Sequence, residues 1–193
     1  MKQSLKRFAS LFAVCAILFP SLAFAHVGIG EQQGFLFGLS HPFSGFDHLV
    51  AMIAIGLWTA QLGGNARWAV PLGFVTVMAC SGILSMSVSL LPFVESGITL
   101  SLLILGLLIA ATVRLPVMVS ILIAAIFAVF HGSAHGAELP PNMSALSYVS
   151  GFVTATALLH LSGIGIASLL NKYDRSQWLR LTGVTVVLCG LAL

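Results

Sequence analysis

Four of the six histidines lie in two short segments that each also contain a carboxylate. The first segment, HPFSGFDH, covers residues 41–48, and the second, FHGSAHGAE, covers residues 130–138. Neutral imidazole combined with carboxylate suits Ni, Co, Zn, Cu(II) or Fe, whereas Mg and Ca prefer oxygen ligands. No Cys-x-x-Cys spacing occurs, and the missing thiolates argue against Cu(I). The two segments therefore indicate a site for a divalent transition-metal cation.

The spacing inside the second segment favours chelation of one ion. His131 and His135 are four residues apart, so on a helix both rings project from one face, one turn apart. Glu138 follows His131 by seven residues on the same stripe, and Gly136 would let the backbone bend to bring its carboxylate in. We therefore expect these three side chains to act together.

The first segment leaves two interpretations open. His41 and His48 are seven residues apart, which is about 10 Å along a straight helix and too far for one ion to hold both. Pro42 and Gly45 indicate that the stretch is not a straight helix, which would bring the two rings closer. Alternatively, His48 binds the ion while Asp47 orients a ring by a hydrogen bond. The predicted metal site consists of His41, Asp47, His48, His131, His135 and Glu138.

Two further histidines lie outside these segments. His26 would be the first residue of the mature chain, where its α-amine and ring nitrogen could capture a metal together; the alternative is a terminal residue that is merely solvated. His160 lies deep in an apolar run, and an ionisable residue at that depth is a candidate for a transport pathway. Thr154, Thr156 and Ser162 are its polar neighbours, although packing would explain His160 equally well.

The overall composition indicates a membrane protein. The 193-residue chain is 59% hydrophobic and only 7% charged, whereas a soluble domain averages about 25% charged residues. Most of this chain must therefore contact lipid or other apolar helices. The net charge of +3 comes from Lys and Arg that are spread along the chain without a basic patch. We therefore expect the lipid bilayer and a divalent metal ion as partners, and no nucleic acid.

The N-terminus has the features of an export signal. A positively charged start is followed by an apolar core at 11–19, by Pro20, and by the small-x-small cleavage pattern Ala23-Phe24-Ala25. The apolar core is too short to span a bilayer. We predict a cleavable signal peptide at 1–25 and one transmembrane permease domain at 26–193.

Six apolar runs in the mature chain have the length of membrane spans, which need about 20 residues at a rise of about 1.5 Å each. The runs cover residues 43–62, 68–88, 96–113, 117–136, 145–169 and 178–193. The sequence thus predicts an all-α integral membrane protein, with a cleavable signal peptide followed by a bundle of six transmembrane helices.

The placement of charge gives the orientation of this bundle. After signal cleavage, six crossings leave both termini outside, so we expect a multi-pass protein of the bacterial inner (cytoplasmic) membrane with periplasmic termini. All basic residues of the mature chain then fall on the inner side, in agreement with the positive-inside rule: Arg67, Arg114, Lys172, Arg175 and Arg180. The first helix runs inward and the fourth runs outward, so both histidine segments reach the outer face.

The two segments resemble the HupE/UreJ family of nickel and cobalt permeases. The family pattern is H-P-x-x-G-x-D-H in the first helix and F-H-G-x-A-H-G-x-E in the fourth, and residues 41–48 and 130–138 match it at every fixed position. The resemblance extends to the signal peptide and the six helices. It implies uptake of Ni2+, or of Co2+, for the maturation of a hydrogenase or a urease, with no prosthetic group and no enzymatic activity.

The sequence leaves several mechanisms and functions open. No G-x4-G-K-[ST] loop, and hence no ATPase domain, occurs in the chain, so it would act alone as a channel, a facilitator or an ion-coupled carrier. The sequence does not define the oligomeric state, and it is compatible with a homo-oligomer. An intramembrane zinc-dependent hydrolase, with Glu138 or Asp47 as general base, is the first alternative function. A membrane subunit that only binds or senses metal is the second.

Overall fold

The computed structural model describes residues 31–88, 91–173 and 176–193, and it is all-helical within these ranges. The predicted signal peptide and His26 lie outside the described residues. The described ranges contain seven helices: α1 (Glu31–Ser44), α2 (Phe46–Leu62), α3 (Ala66–Ser85), α4 (Val94–Ala110), α5 (Val117–Ala137), α6 (Ala145–Lys172) and α7 (Ser176–Leu191).

Helices α2 to α7 correspond one to one with the six apolar runs, and the all-α prediction is confirmed. The sequence pattern does not predict α1, a separate helix that ends just before α2. Pro42 lies inside α1, where its missing N–H weakens the helix, and Gly45 is extended, with φ −98° and ψ 115°. Helices α1 and α2 consequently meet at an angle of 86°.

Several of these helices have the length and composition of membrane spans. Helices α3, α5 and α6 are each long and apolar enough to cross a membrane, and the bent pair of α1 and α2 passes the same criterion as one broken span. Helices α4 and α7 are apolar but shorter, with 17 and 16 residues. The chain is therefore a multi-pass membrane protein, while the count of six crossings stays a prediction.

The bundle exposes apolar side chains and buries polar ones. Leu72, Leu107 and Leu122 are 69%, 58% and 59% exposed, as expected of a surface in contact with lipid tails. Histidine, serine and threonine side chains are buried in the interior of the described ranges. There they contact one another and the backbone instead of lipid, where polar groups are costly.

Glycines allow the helices that carry the histidines to approach their neighbours closely. Helix α3 packs along α5, and α6 packs against both α1 and α2. A Cβ on Gly132 would collide with the Met78 carbonyl oxygen, and a Cβ on Gly136 would collide with the Gly82 carbonyl oxygen. These backbone contacts are typical of tightly packed membrane helices. They fix α5 against α3, and with it the depth of the two α5 histidines.

Candidate metal centre

The bend between α1 and α2 brings the two ends of the first histidine segment to one place. His41 lies in the last turn of α1, and His48 lies near the start of α2. The ring centroid of His135 is 4.9 Å from that of His41 and 4.8 Å from that of His48. Both rings thus contact the same residue. The prediction that residues 41–48 do not form a straight helix is confirmed.

His131 completes a group of four rings. Its centroid is 5.0 Å from that of His48, with an interplanar angle of 86°. His48 therefore contacts both histidines of α5, and the two segments meet at one end of the bundle. We call His41, His48, His131 and His135 the histidine cluster.

The ring spacing in the histidine cluster suits chelation, although the rings do not yet enclose one point. Two imidazoles on one ion have centroids roughly 4.5–5.3 Å apart, given metal–nitrogen bonds of about 2.0–2.1 Å. Among the residues that the structure describes, no group of three or more His, Cys, Asp or Glu side chains is already oriented to hold a metal ion. Binding of one ion by the cluster would therefore require its side chains to change orientation.

Asp47 holds the ring of His48. Its Oδ1 accepts the backbone N–H of His48 at 2.7 Å and lies 2.9 Å from His48 Nδ1. Because a carboxylate oxygen only accepts hydrogen bonds, His48 Nδ1 carries the hydrogen. His48 Nε2 faces away from Asp47 and has a lone pair that can bind a metal. Gly45 leaves room for this pair, because a Cβ there would lie 2.9 Å from Asp47 Oδ1. The geometry favours the interpretation in which Asp47 orients a histidine.

Glu138 contacts the cluster at its rim. Helix α5 continues through Gly136 to Ala137, and Glu138 stands just beyond the helix end. Its Oε2 is 2.8 Å from His41 Nε2, with the side chains of Glu138 and His41 58% and 13% exposed. The bend expected at Gly136, which would bring the carboxylate into the site, therefore does not form. The helix stays regular there, and the carboxylate reaches across to α1.

The two α5 histidines are buried with unused hydrogen-bonding capacity. His131 is 0% exposed and His135 is 1% exposed. Ser101 Oγ lies 3.2 Å from His131 Nε2, whereas His131 Nδ1 and both ring nitrogens of His135 have no hydrogen-bond partner. A buried polar atom left unpaired costs about 1–3 kcal/mol, and native proteins contain few of them. Each neutral ring has one nitrogen with a lone pair, which is a suitable metal ligand, so the residues present fit a transition-metal cation.

Three residues in contact with the cluster carry no signal in the sequence pattern. Ser101 of α4 faces His131, and the Tyr148 hydroxyl donates to the His135 carbonyl oxygen at 3.0 Å. Phe152 stacks on the His135 ring, with centroids 5.1 Å apart. All three lie within ordinary apolar runs, so only the tertiary contacts identify them. Together they support the last turns of α5 from α4 and α6.

His160 lies apart from the cluster, in the middle of α6. Its Nδ1 donates to the Met52 carbonyl oxygen at 2.8 Å, while its buried Nε2 has no partner. Thr156, one turn earlier, is buried as well, and its hydroxyl contacts Met78 Sδ at 3.7 Å. Of the polar neighbours expected around His160, Thr156 is therefore the one that faces the interior.

Thr154 and Ser162 do not neighbour His160 in the interior, and that expectation is wrong. Both side chains are exposed, and each hydroxyl donates to a carbonyl oxygen of its own helix, at 2.7 Å for Thr154 and 2.8 Å for Ser162. The physical reason is the helical repeat. Ser162 is two residues after His160, and Thr154 is two residues before the buried Thr156. A shift of two residues turns a side chain by about 200° around the axis, to the opposite face.

Most of the chain is similar to known proteins. The family model described as HupE / UreJ protein matches residues 14–193. Protein HupE of Rhizobium leguminosarum bv. viciae is 47% identical over 180 residues, which cover 93% of this chain and 94% of that protein. No solved structure matches. The matched range includes both histidine segments and all seven helices, and the chain belongs to the HupE/UreJ family.

Proposed function

We propose that this protein carries a divalent transition-metal cation, nickel before cobalt, across the bacterial inner membrane into the cell, where the metal supplies the maturation of a hydrogenase or a urease. The observation that carries the proposal is the histidine cluster: four rings from three helices, two of them fully buried, with three ring nitrogens that have no partner. The family implies the same substrate class.

The charges around the cluster suit a dication that arrives from the outer side. Glu138 is exposed at the rim and contacts His41, and Asp47 lies beside His48. These are the two histidine–carboxylate contacts found among the described residues. Two carboxylates match the charge of one divalent cation, and imidazole selects nickel or cobalt over magnesium and calcium. An incoming ion would meet the exposed Glu138 first and the buried rings of α5 last.

The proposed orientation follows from the ends of the helices. Helix α2 starts at the cluster and is followed by Arg67, while α5 ends at the cluster and is preceded by Arg114. Arg67 and Arg114 therefore belong to the end of the bundle away from the cluster. By the positive-inside rule that end faces the cytoplasm, so the proposal places the cluster at the periplasmic face. With the predicted six crossings, both termini would lie on that side as well.

The geometry gives less support to an intramembrane hydrolase. A general base needs a free carboxylate beside an open coordination position. Asp47 is occupied by both the backbone N–H and the ring of His48, and Glu138 lies at the rim, paired with His41. Neither carboxylate stands beside the unpartnered nitrogens of His135. Transport requires only that the ion enter and leave, so it is the better account of the site.

The experiment is radiolabelled nickel uptake in a nickel-starved bacterial strain that lacks its own nickel importers. Cells that produce the protein should accumulate nickel at low external concentration, and those that produce the His131→Ala, His135→Ala double variant should not. Membrane protein levels are matched by immunoblot. A hydrolase or a metal-sensing subunit would leave nickel uptake at the level of the empty strain, and that result would overturn the transport proposal.

A further inference from the structure

His160 offers a metal-ligating nitrogen below the histidine cluster. A backbone carbonyl only accepts hydrogen bonds, so the 2.8 Å contact with the Met52 carbonyl oxygen requires that His160 Nδ1 carries the hydrogen. In the neutral ring Nε2 then holds a lone pair. That atom is buried and has no partner in the structure. The contact with α2 thus fixes both the orientation and the tautomer of the ring, as hydrogen bonds to metal-binding histidines commonly do.

The face of α6 that carries His160 packs against α3. Along this interface Phe152 lies close to Gly82, the Thr156 hydroxyl contacts Met78 Sδ at 3.7 Å, and His160 meets Phe74 edge to face with centroids 5.2 Å apart. Going inward, the interface therefore presents a hydroxyl oxygen and a thioether sulfur, and one turn further an imidazole nitrogen.

Phe74 connects this interface with the histidine cluster. Its ring centroid is 5.7 Å from that of His131 and 5.2 Å from that of His160. The cluster histidine His131 and the deeper His160 therefore contact the same aromatic side chain. The Phe74 ring is therefore the apolar group that separates the two histidines along this path.

We infer that His160 Nε2 is an inner ligand for the transported cation, which reaches it from the histidine cluster past the ring of Phe74, with Thr156 and Met78 as weaker donors on the way. The inference rests on the proposed transport function. It adds a second binding position to that function and names the atom that provides it.

The inner position at His160 has few ligands, which suits a site that an ion occupies only briefly during transport. Conduction requires that an ion bind well enough to enter and weakly enough to leave. The histidine cluster has four imidazoles, with the carboxylates of Asp47 and Glu138 beside two of them, whereas the inner position has one imidazole with a hydroxyl and a thioether. Nitrogen and sulfur donors retain a preference for nickel and cobalt over magnesium and calcium. The ion would therefore be held loosely but selectively on its way inward.

A substitution can separate a ligand from a packing residue at this position. The amide of His160→Asn can still donate to the Met52 carbonyl oxygen, because it occupies the place of Nδ1, but the variant has no atom at the place of Nε2. Ser162→Ala is the matched control, since Ser162 lies on the same helix with an exposed side chain. Two measurements are made on each full-length protein: nickel binding in detergent by equilibrium dialysis, and nickel uptake into liposomes.

The expected result is that His160→Asn binds nickel within about twofold of the wild-type affinity, since the outer cluster is intact, but transports it roughly tenfold or more slowly, in the range of losses caused by removing a supporting group at a metal site. Ser162→Ala should match the wild type in both. Wild-type uptake by His160→Asn would overturn the inner ligand. A parallel loss of binding and uptake would also overturn it, because His160 would then act through packing. Absence of nickel transport by the wild type would instead contradict the proposed function.

Discussion

The ring of His48, at the start of α2, lies 4.8 Å from the ring of His135, near the end of α5. Each residue comes from a different histidine segment, and the sharp bend that precedes α2 brings His41 to the same His135 ring. The contact brings a ring held by Asp47 to a ring whose two nitrogens are buried without partners. Several consequences of this arrangement can be measured.

His135→Leu should abolish nickel binding while leaving the metal-free protein at least as stable as the wild type. Leucine has a similar volume, and the substitution removes two buried ring nitrogens that have no hydrogen-bond partner. Each such atom lowers the stability of the folded protein by about 1–3 kcal/mol. The measurement is the Tm of the purified, metal-free protein in detergent. A Tm well below that of the wild type would contradict this, because it would mean that the His135 ring stabilises the metal-free bundle.

Asp47→Ala should reduce nickel affinity by roughly 10–100-fold, because the ring of His48 loses the acceptor that orients it. Asp47→Asn should lose less, since the amide oxygen can still accept from His48 Nδ1. Affinity is measured by equilibrium dialysis on both variants. If Asp47→Asn is as defective as Asp47→Ala, the negative charge itself is required, and Asp47 would then bind the ion directly.

The sequence predicts those features of the site that depend on residues close together in the chain. It does not predict those that depend on how distant helices pack. The pairing of His131 with His135 follows from the helical repeat alone, and the break before Asp47 follows from Pro42 and Gly45. The direction of the bend does not, because it depends on the packing of α1 against α6. This packing turns His41 toward His135 and makes it the partner of Glu138.

The same limit explains the remaining differences. Ser101 faces His131 only because α4 packs beside the cluster, and no local spacing marks that serine. Residues 154 and 162 look like neighbours of His160 in the sequence, yet the helical repeat turns them to the lipid-facing side. The lengths of the apolar runs thus predict α2 to α7, and the helical repeat predicts the pairing of His131 with His135. The residues that contact the cluster from other helices are identified only by the tertiary structure.

Glu138→Gln should slow nickel uptake more than it weakens equilibrium binding. The glutamine can keep a hydrogen bond to His41, but the exposed rim loses the charge that attracts cations. We expect uptake at low ionic strength to fall by roughly tenfold, and the difference from the wild type to shrink as added salt screens the field. Uptake is followed in liposomes over a salt series. A defect that is independent of salt would show that Glu138 acts by direct coordination.

Fusions to topology reporters should place both termini in the periplasm. Every basic residue of the predicted mature chain then lies inside, whereas five crossings would break this pattern. Alkaline phosphatase fused after Leu193 should be active, and the same enzyme fused after Arg114 should be inactive. A conventional fluorescent protein should give the complementary result. An inactive phosphatase at Leu193 would show that α4 or α7, the two short helices, does not cross the membrane.

Nickel uptake by the purified protein in liposomes tests the central claim most directly, since no other cellular component is present. Vesicles with an internal nickel-sensitive dye should respond to external nickel when they contain the wild type or Ser162→Ala. They should stay at the level of empty vesicles when they contain the His131→Ala, His135→Ala double variant at the same protein density. The cluster is then the site through which the metal passes. Uptake by the double variant at the wild-type rate would contradict this, because the transported ion would not need the two buried histidines.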